Sequence, residues 1–282
     1  MPLEDEFCDI VKKARNGQGQ SVSQLAVAAQ LSSENLEQLE KGARIPKRNE
    51  VHSIGEALRL KQSALVAVAI DGWVPNPSPV WISKRVTTVT GSIGGYEVKG
   101  YVLHDLVKKE AVFIDTAYNA PRMLSVLKDR GLTLKGICLT HGHTDHAGGL
   151  DRILSEWEVP VYLGEGDFPL LPWKPPLGRV IIPTDGQEIS VGSITVSCLA
   201  TPGHTPGGYC FRVSEPSQEI CFVGDTLFAG SIGRSNPPSL YPEHLCSVRG
   251  RVLSLPTETV LLPGHGPATT VSEELVNNPF GG

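Results

Sequence analysis

His141-Gly142-His143-Thr144-Asp145-His146 puts three imidazoles and a carboxylate into six consecutive residues. The run follows an apolar stretch, Gly136-Ile137-Cys138-Leu139-Thr140, that reads as a strand. It precedes Ala147-Gly148-Gly149 and a helix-like segment. Strand, ligand-bearing turn and helix is the order in which α/β chains place chemistry beyond a strand end. Neutral imidazole and carboxylate are ligands that suit zinc, iron or manganese.

Three further turns repeat the pattern. Thr201-Pro202-Gly203-His204-Thr205-Pro206-Gly207-Gly208 follows the strand-like Ile194–Leu199. Phe222-Val223-Gly224-Asp225-Thr226 ends another apolar run with an acid, and Leu261-Leu262-Pro263-Gly264-His265-Gly266-Pro267 ends a third with a histidine. Five of the eight histidines fall in this set. A lone His204 would read as a hydrogen-bonded histidine; the joint pattern reads as a metal site. Glycine beside the ligands allows tight backbone geometry.

These residues carry a resemblance. The His-x-His-x-Asp-His run, the Pro-Gly-His-Thr-Pro-Gly turn, the Gly-Asp and the Gly-His-Gly-Pro resemble the metallo-β-lactamase superfamily, and more narrowly its glyoxalase II-like hydrolases. Phe228–Arg234 and Asn277-Asn278-Pro279-Phe280 resemble the short members of that group. The resemblance covers roughly residues 80 to 282 and implies an αββα sandwich with metals at one edge of two sheets. It implies that His141, His143 and His204 hold a first metal, that Asp145, His146 and His265 hold a second, and that Asp225 bridges them. Two divalent ions, zinc by expectation with iron or manganese as alternatives, would acidify a shared water and stabilise an oxyanion. Asp145 would help the leaving group depart.

The bridging acid points away from β-lactams and toward a thioesterase acting on an acyl-glutathione. An iron-dependent persulfide dioxygenase and a lactonase use overlapping ligands and remain alternatives. Full-length glyoxalase II adds a helical glutathione-gripping domain, whereas seventeen residues follow His265 here, so those contacts do not carry over. Arg234 is the candidate for binding a substrate anion, with a structural arginine as the competing reading. The stiff segment Phe168–Leu177 reads as a surface loop or as a wall of the substrate cleft.

The remainder of the 282 residues sets bounds. Hydrophobic content of 40% and charge of 20% describe a globular chain, and a net charge of −5 excludes a strong nucleic-acid field. Most of the six scattered cysteines sit inside apolar runs and read as buried free thiols in a reducing compartment. No signal-like or membrane-spanning stretch is visible, so the expected location is the cytoplasm.

Residues 1–70 carry apolar residues at helical spacing, and Pro75, Pro77 and Pro79 then favour an extended spacer over 71–79. The expected organisation is a small all-α domain, that linker, and an α+β hydrolase domain over 80–282. Gln20–Ala26 and Leu31–Gly42 resemble phage-repressor-type helix-turn-helix domains, with Ser32 as the N-cap of the recognition helix. That helix would offer Ser33, Glu34, Glu37 and Gln38, and the glutamates would repel phosphate. Nine Lys/Arg balance nine Asp/Glu in 1–70. A protein-interaction, homodimerisation or packing role is therefore expected over DNA binding. A regulator whose metal domain senses a thioester or lactone is the alternative from a different class.

Overall fold

The computed structural model describes residues 2–176, 178–214 and 219–282. The chain begins with five short helices: α1 (Phe7–Gly17), α2 (Val22–Ala28), α3 (Ser33–Glu40), α4 (Arg48–Ala57) and α5 (Gln62–Ala69). Ser21 and Ser32 start α2 and α3 by accepting from the backbone N–H groups of Gln24 and Asn35. Ile10, Leu25, Leu36, Leu39, Ile54 and Leu65 fill the space between the helices. Residues 71–79 then run without regular structure, and Asn76 is fixed to Glu273 through its backbone N–H and its side-chain amide.

The rest alternates β1 (Val86–Ile93), β2 (Tyr96–Asp105), β3 (Glu110–Ile114), α6 (Ala120–Arg130), β4 (Thr133–Cys138), α7 (Thr144–Ala147), α8 (Leu150–Glu156), β5 (Val161–Tyr162), β6 (Val180–Ile181), β7 (Glu188–Val191), β8 (Ile194–Ala200), β9 (Tyr209–Val213), β10 (Ile220–Gly224), α9 (Tyr241–Ser247), β11 (Val260–Pro263), β12 (Thr269–Thr270) and α10 (Val271–Asn277). Among the described residues two six-stranded sheets form, ordered β1-β2-β3-β4-β5-β6 and β12-β11-β10-β9-β8-β7. Their facing sides share one core, in which Tyr101, Leu103, Val112 and Ile114 meet Val196, Cys198, Phe211, Phe222 and Leu262. Both faces of each sheet are covered, so the central strands read as unbroken apolar runs. Helices α6 and α8 pack on the first sheet.

The outer face of the second sheet is covered in part by the N-terminal helices. Cys210, Cys221, Val223 and Leu261 from that face share a cluster with Ile10, Leu36 and Leu65, and with Tyr241, Val252 and Phe280. Polar ties reinforce the contact. The Ser231 hydroxyl donates to Asp5 at 2.5 Å, Lys13 Nζ donates to the Ile232 carbonyl at 2.8 Å, and Lys61 N donates to the Pro279 carbonyl at 2.8 Å.

Strand direction positions the site. β3 and β4 are parallel. β8 and β10 are each antiparallel to β9 between them, and β10 is parallel to β11. The C-terminal ends of β8, β10 and β11 therefore open on one edge. Helix α9 stops at Ser247, where a wider π turn takes over at Val248–Val252. No helix among the described residues is long and apolar enough to cross a membrane. All six cysteines are free, and Cys246 is exposed.

Candidate metal centre

Four strand ends deliver the ligand candidates to that edge. β4 leads into His141 and His143, and the one-turn helix α7 carries Asp145 and His146. The turns after β8, β10 and β11 carry His204, Asp225 and His265. All seven side chains predicted from the sequence come together. Ligand atoms of His141, His143 and His204 lie within 4.8 Å of one another, as do those of His141, Asp145 and His146, and those of His146, Asp225 and His265.

Asp225 lies between the groups. Its Oδ1 is 3.2 Å from His146 Nε2, and its Oδ2 is 3.7 Å from both His204 Nε2 and His265 Nε2. Asp145 Oδ2 is 3.3 Å from His265 Nε2.

The donor set fits divalent cations on three observations. First, ring nitrogens face one another: His204 Nε2 and His143 Nδ1 are 3.1 Å apart, and His146 Nε2 and His265 Nε2 are 3.4 Å apart. Second, His141 Nε2 and Asp225 Oδ1 are buried with no hydrogen-bond partner, a costly state that a metal would relieve. Third, the far nitrogens of the rings are anchored. His146 Nδ1 sits 2.8 Å from Asp115 Oδ2, His204 Nδ1 2.7 Å from the Arg234 carbonyl, His265 Nδ1 2.6 Å from the Glu97 carbonyl, and His141 Nδ1 3.1 Å from Thr140 Oγ1. Such partners fix the ring so that the other nitrogen points into the site.

Electrostatics agree. Burial holds His141 well below the ordinary histidine range and His204 down at about 3, so both are neutral imidazoles ready to bind metal. Burial opposes charge on His265 as well, yet Asp225 and Asp145 outweigh it and raise it to about 9. Burial likewise opposes the Asp225 carboxylate, but His265 and His146 hold it well below its usual range. The two carboxylates thus draw positive charge to the point where the imidazoles converge.

Backbone approach is close enough to require glycine at Gly264. A Cβ there would stand 2.4 Å from His146 Cε1 and 2.6 Å from Asp225 Oδ1.

The sequence reading missed the residues that brace this arrangement. Asp115, at the end of β3 with φ of 56°, accepts from Thr140 N at 2.7 Å and from Thr140 Oγ1 at 2.8 Å, besides meeting His146. Asp167 is fully buried and joins the two histidine turns, accepting from Gly142 N at 2.9 Å, Thr205 Oγ1 at 2.7 Å and Gly207 N at 2.7 Å. Asp115 ends a legible strand with an acid, the same signal that marked Asp225. Asp167 carried no such mark.

A cavity of 870 Å³ opens over the ligands and is lined by His143, His204, Asp225 and His265. Arg234 lines it too, so the predicted anion-binding arginine stands at the site, while its backbone carbonyl anchors His204. The cleft-wall reading of 168–177 is corrected. Among the described residues, none of 168–176 lines this cavity, because Leu171 is drawn into the core beneath the first sheet. Leu177 lies outside the described residues.

Comparison with known proteins agrees with this geometry. Probable metallo-hydrolase YqgX of Bacillus subtilis (strain 168) is 32% identical over 203 residues, which are 67% of this chain and 94% of the relative. Hydroxyacylglutathione hydrolase GloC of Haemophilus influenzae is 31% identical over 188 residues, 61% of this chain and 88% of GloC. Among solved structures, BLEG-1 B3 metallo-beta-lactamase superposes with a TM-score of 0.61 at 29% identity, over 69% of this chain and 99% of that one. The protein TTHA1623 in a di-iron-bound form superposes at 0.58 with 33% identity and the same coverage. Residues 94–265 match the family profile described as the metallo-beta-lactamase superfamily, which spans β2 to the last of the predicted ligands, and to that superfamily the chain belongs.

Proposed function

We propose that the protein is a binuclear metal-dependent thioesterase of glyoxalase II type, cleaving an acyl-glutathione-like thioester to acid and thiol. One observation carries the reading: Asp225 stands between a His141/His143/His204 group and an Asp145/His146/His265 group, its oxygens within 3.7 Å of imidazoles on both sides. The two irons of TTHA1623 and the activity named for GloC support it.

His141, His143 and His204 would hold one ion, and Asp145, His146 and His265 would hold the other. When bound, such ions supply Lewis acidity and a water acidified to near neutral pH. The chain's own residues do the remaining work. Asp115, Thr140, Glu97 and the Arg234 carbonyl hold the imidazoles in the ligand tautomer. Asp225 keeps a negative charge between the groups. Asp145, about a quarter exposed and 3.3 Å from His265 Nε2, assists proton transfer to the departing sulfur. The C–S bond breaks, a C–O bond forms, and the thiolate leaves with a proton.

The helical unit serves the hydrolase in this reading. Arg15 is bound by Glu40 and Arg44 by Glu50, each through paired nitrogens, which removes two cations from any phosphate-facing surface. Glu34 and Glu37 are exposed on α3. A low-salt mobility-shift assay that gives sharp, salt-sensitive complexes would favour the DNA-binding alternative.

The deciding experiment reconstitutes the protein with zinc, iron or manganese and measures metal content and turnover. Substrates are S-lactoylglutathione, a lactone, glutathione persulfide with oxygen uptake, and a β-lactam, the last because of the likeness to BLEG-1. The expected result is two metals per chain with thioester hydrolysis fastest, and a loss of about 100-fold or more in Asp225→Ala. One metal per chain at full loading, or faster turnover of another substrate, overturns it.

A further inference from the structure

Helix α1 turns its apolar face inward through Phe7, Ile10, Val11 and Ala14, which are buried among the N-terminal helices. Its polar face is Asp9, Lys12, Lys13 and Asn16, spaced i, i+3, i+4 and i+7. A polar face at that spacing ordinarily meets water. Here all four residues line the same 870 Å³ cavity as His143, His204, Asp225 and His265, and Glu4 and Asp5 extend the wall. This wall lies ahead of residue 94, outside the part of the chain that matches the family.

The wall is fixed rather than loosely apposed. Asp5 accepts from Lys13 and from the Ser231 hydroxyl, Lys13 also donates to the Ile232 carbonyl, and its Nζ lies 4.9 Å from the Phe228 ring centroid. Tyr241 packs directly on Gly17, where a Cβ would stand 2.3 Å from Cγ of the ring. Lys13 and Asp5 are therefore consumed in seating α1. Lys12 is half exposed and pairs with Asp9 at 3.3 Å, a surface pair of small strength. Arg234 is exposed across the cavity. Glu4 is partly buried and packs on Gly266, next to His265.

We infer that α1 forms the substrate-selecting wall of the metal cleft, with Lys12 and Arg234 binding carboxylate and Glu4 and Asp9 facing ammonium on a zwitterionic, peptide-like thiol moiety. The inference rests on the thioesterase reading and specifies how its thiol half is held. Cations and acids interleaved in one wall match a tail bearing both charges; a polyanionic carrier such as coenzyme A would meet the two carboxylates unfavourably. The cavity volume lies within the range that holds a small ligand.

The test uses the full-length, metal-loaded chain. Titration calorimetry measures binding of S-methylglutathione, which cannot be hydrolysed, to the native protein and to Lys12→Ala and Arg234→Ala. Each variant is expected to weaken Kd about tenfold, the size of one charge-assisted hydrogen bond. In parallel, the preference in kcat/KM for S-lactoylglutathione over the neutral thioester S-acetyl-N-acetylcysteamine is expected to fall about tenfold in each variant, through KM. A merely structural role would lower both substrates together and leave the preference unchanged. Unchanged Kd and unchanged preference overturn the inference while leaving thioesterase activity standing. Native binding that depends on Lys12 and Arg234, with no thioester turnover, overturns the proposed function and leaves the wall standing. Absence of native binding overturns the wall outright.

Discussion

Asp115 Oδ2 lies 2.8 Å from His146 Nδ1, and both side chains are buried. The carboxylate thus sets the ring so that Nε2 faces Asp225, 3.2 Å away. Asp115 also accepts from Thr140, the residue directly before His141. One acid therefore orients ligands on both sides of the histidine run.

Asp115→Asn preserves shape but turns one acceptor into a donor and removes the charge that supports His146. Metal affinity is expected to fall about 10- to 100-fold. Chelator competition measures it, with far-UV circular dichroism to check the fold. An unchanged affinity would show that Thr140 and the backbone alone orient the site.

The ligands themselves were legible because each strand end carries a histidine or acid beside glycine, and apolar runs mark the strands. β10 and β11, for example, are fully buried and read as unbroken apolar stretches. What escaped the sequence has two physical causes. Short elements such as β12 and α10 lack the length for a period to show. Residues such as Asp167 act by tertiary hydrogen bonds to turns 25 to 40 residues away, which no local pattern encodes. The packing of α1 against the second sheet, which no local pattern encodes, brings its polar face to the metal cleft.

Asp167→Ala would strand three donors at once: Gly142 N–H, Gly207 N–H and the Thr205 hydroxyl. Each unsatisfied buried group costs about 1–3 kcal/mol, so the loss should reach on the order of 3–5 kcal/mol. Thermal unfolding is expected to show a large drop in Tm. Metal content at equal chelator should fall too, since His143 and His204 sit on the two turns that Asp167 joins. Asp167→Asn, which keeps part of the bonding, should lie between.

Gly264→Ala tests the closeness of the β11 turn to the ligands. The new methyl would overlap His146 and Asp225 at 2.4 and 2.6 Å, and neither can retreat without losing its place among the ligands. Overpacking of this kind costs about 1–3 kcal/mol. The expected outcome is a folded protein that retains fewer than two metals per chain by elemental analysis. Full metal content in the variant would mean that the turn itself gives way.

Glu274 offers a pH dependence remote from the metal ligands. It is fully buried on α10, where its carboxyl accepts from Thr269 Oγ1 at 2.7 Å, Asn278 Nδ2 at 2.8 Å and Gly230 N at 3.0 Å. Burial raises its pKa to about 7 from an ordinary 4.5, against the lowering effect of those donors, while Glu273 adds a further push upward. A raised folded pKa means that the native state holds the proton more tightly than the unfolded chain. Its contribution to stability is therefore full below about 4.5, declines as pH rises, and is lost above about 7. The span corresponds to roughly 3 kcal/mol. Denaturant melts across that window should show stability falling with pH in the native protein. The slope should shrink in Glu274→Gln, whose amide stays neutral and can donate to Thr269 while accepting from Gly230 and Asn278. An identical slope in the variant would assign the dependence to other groups.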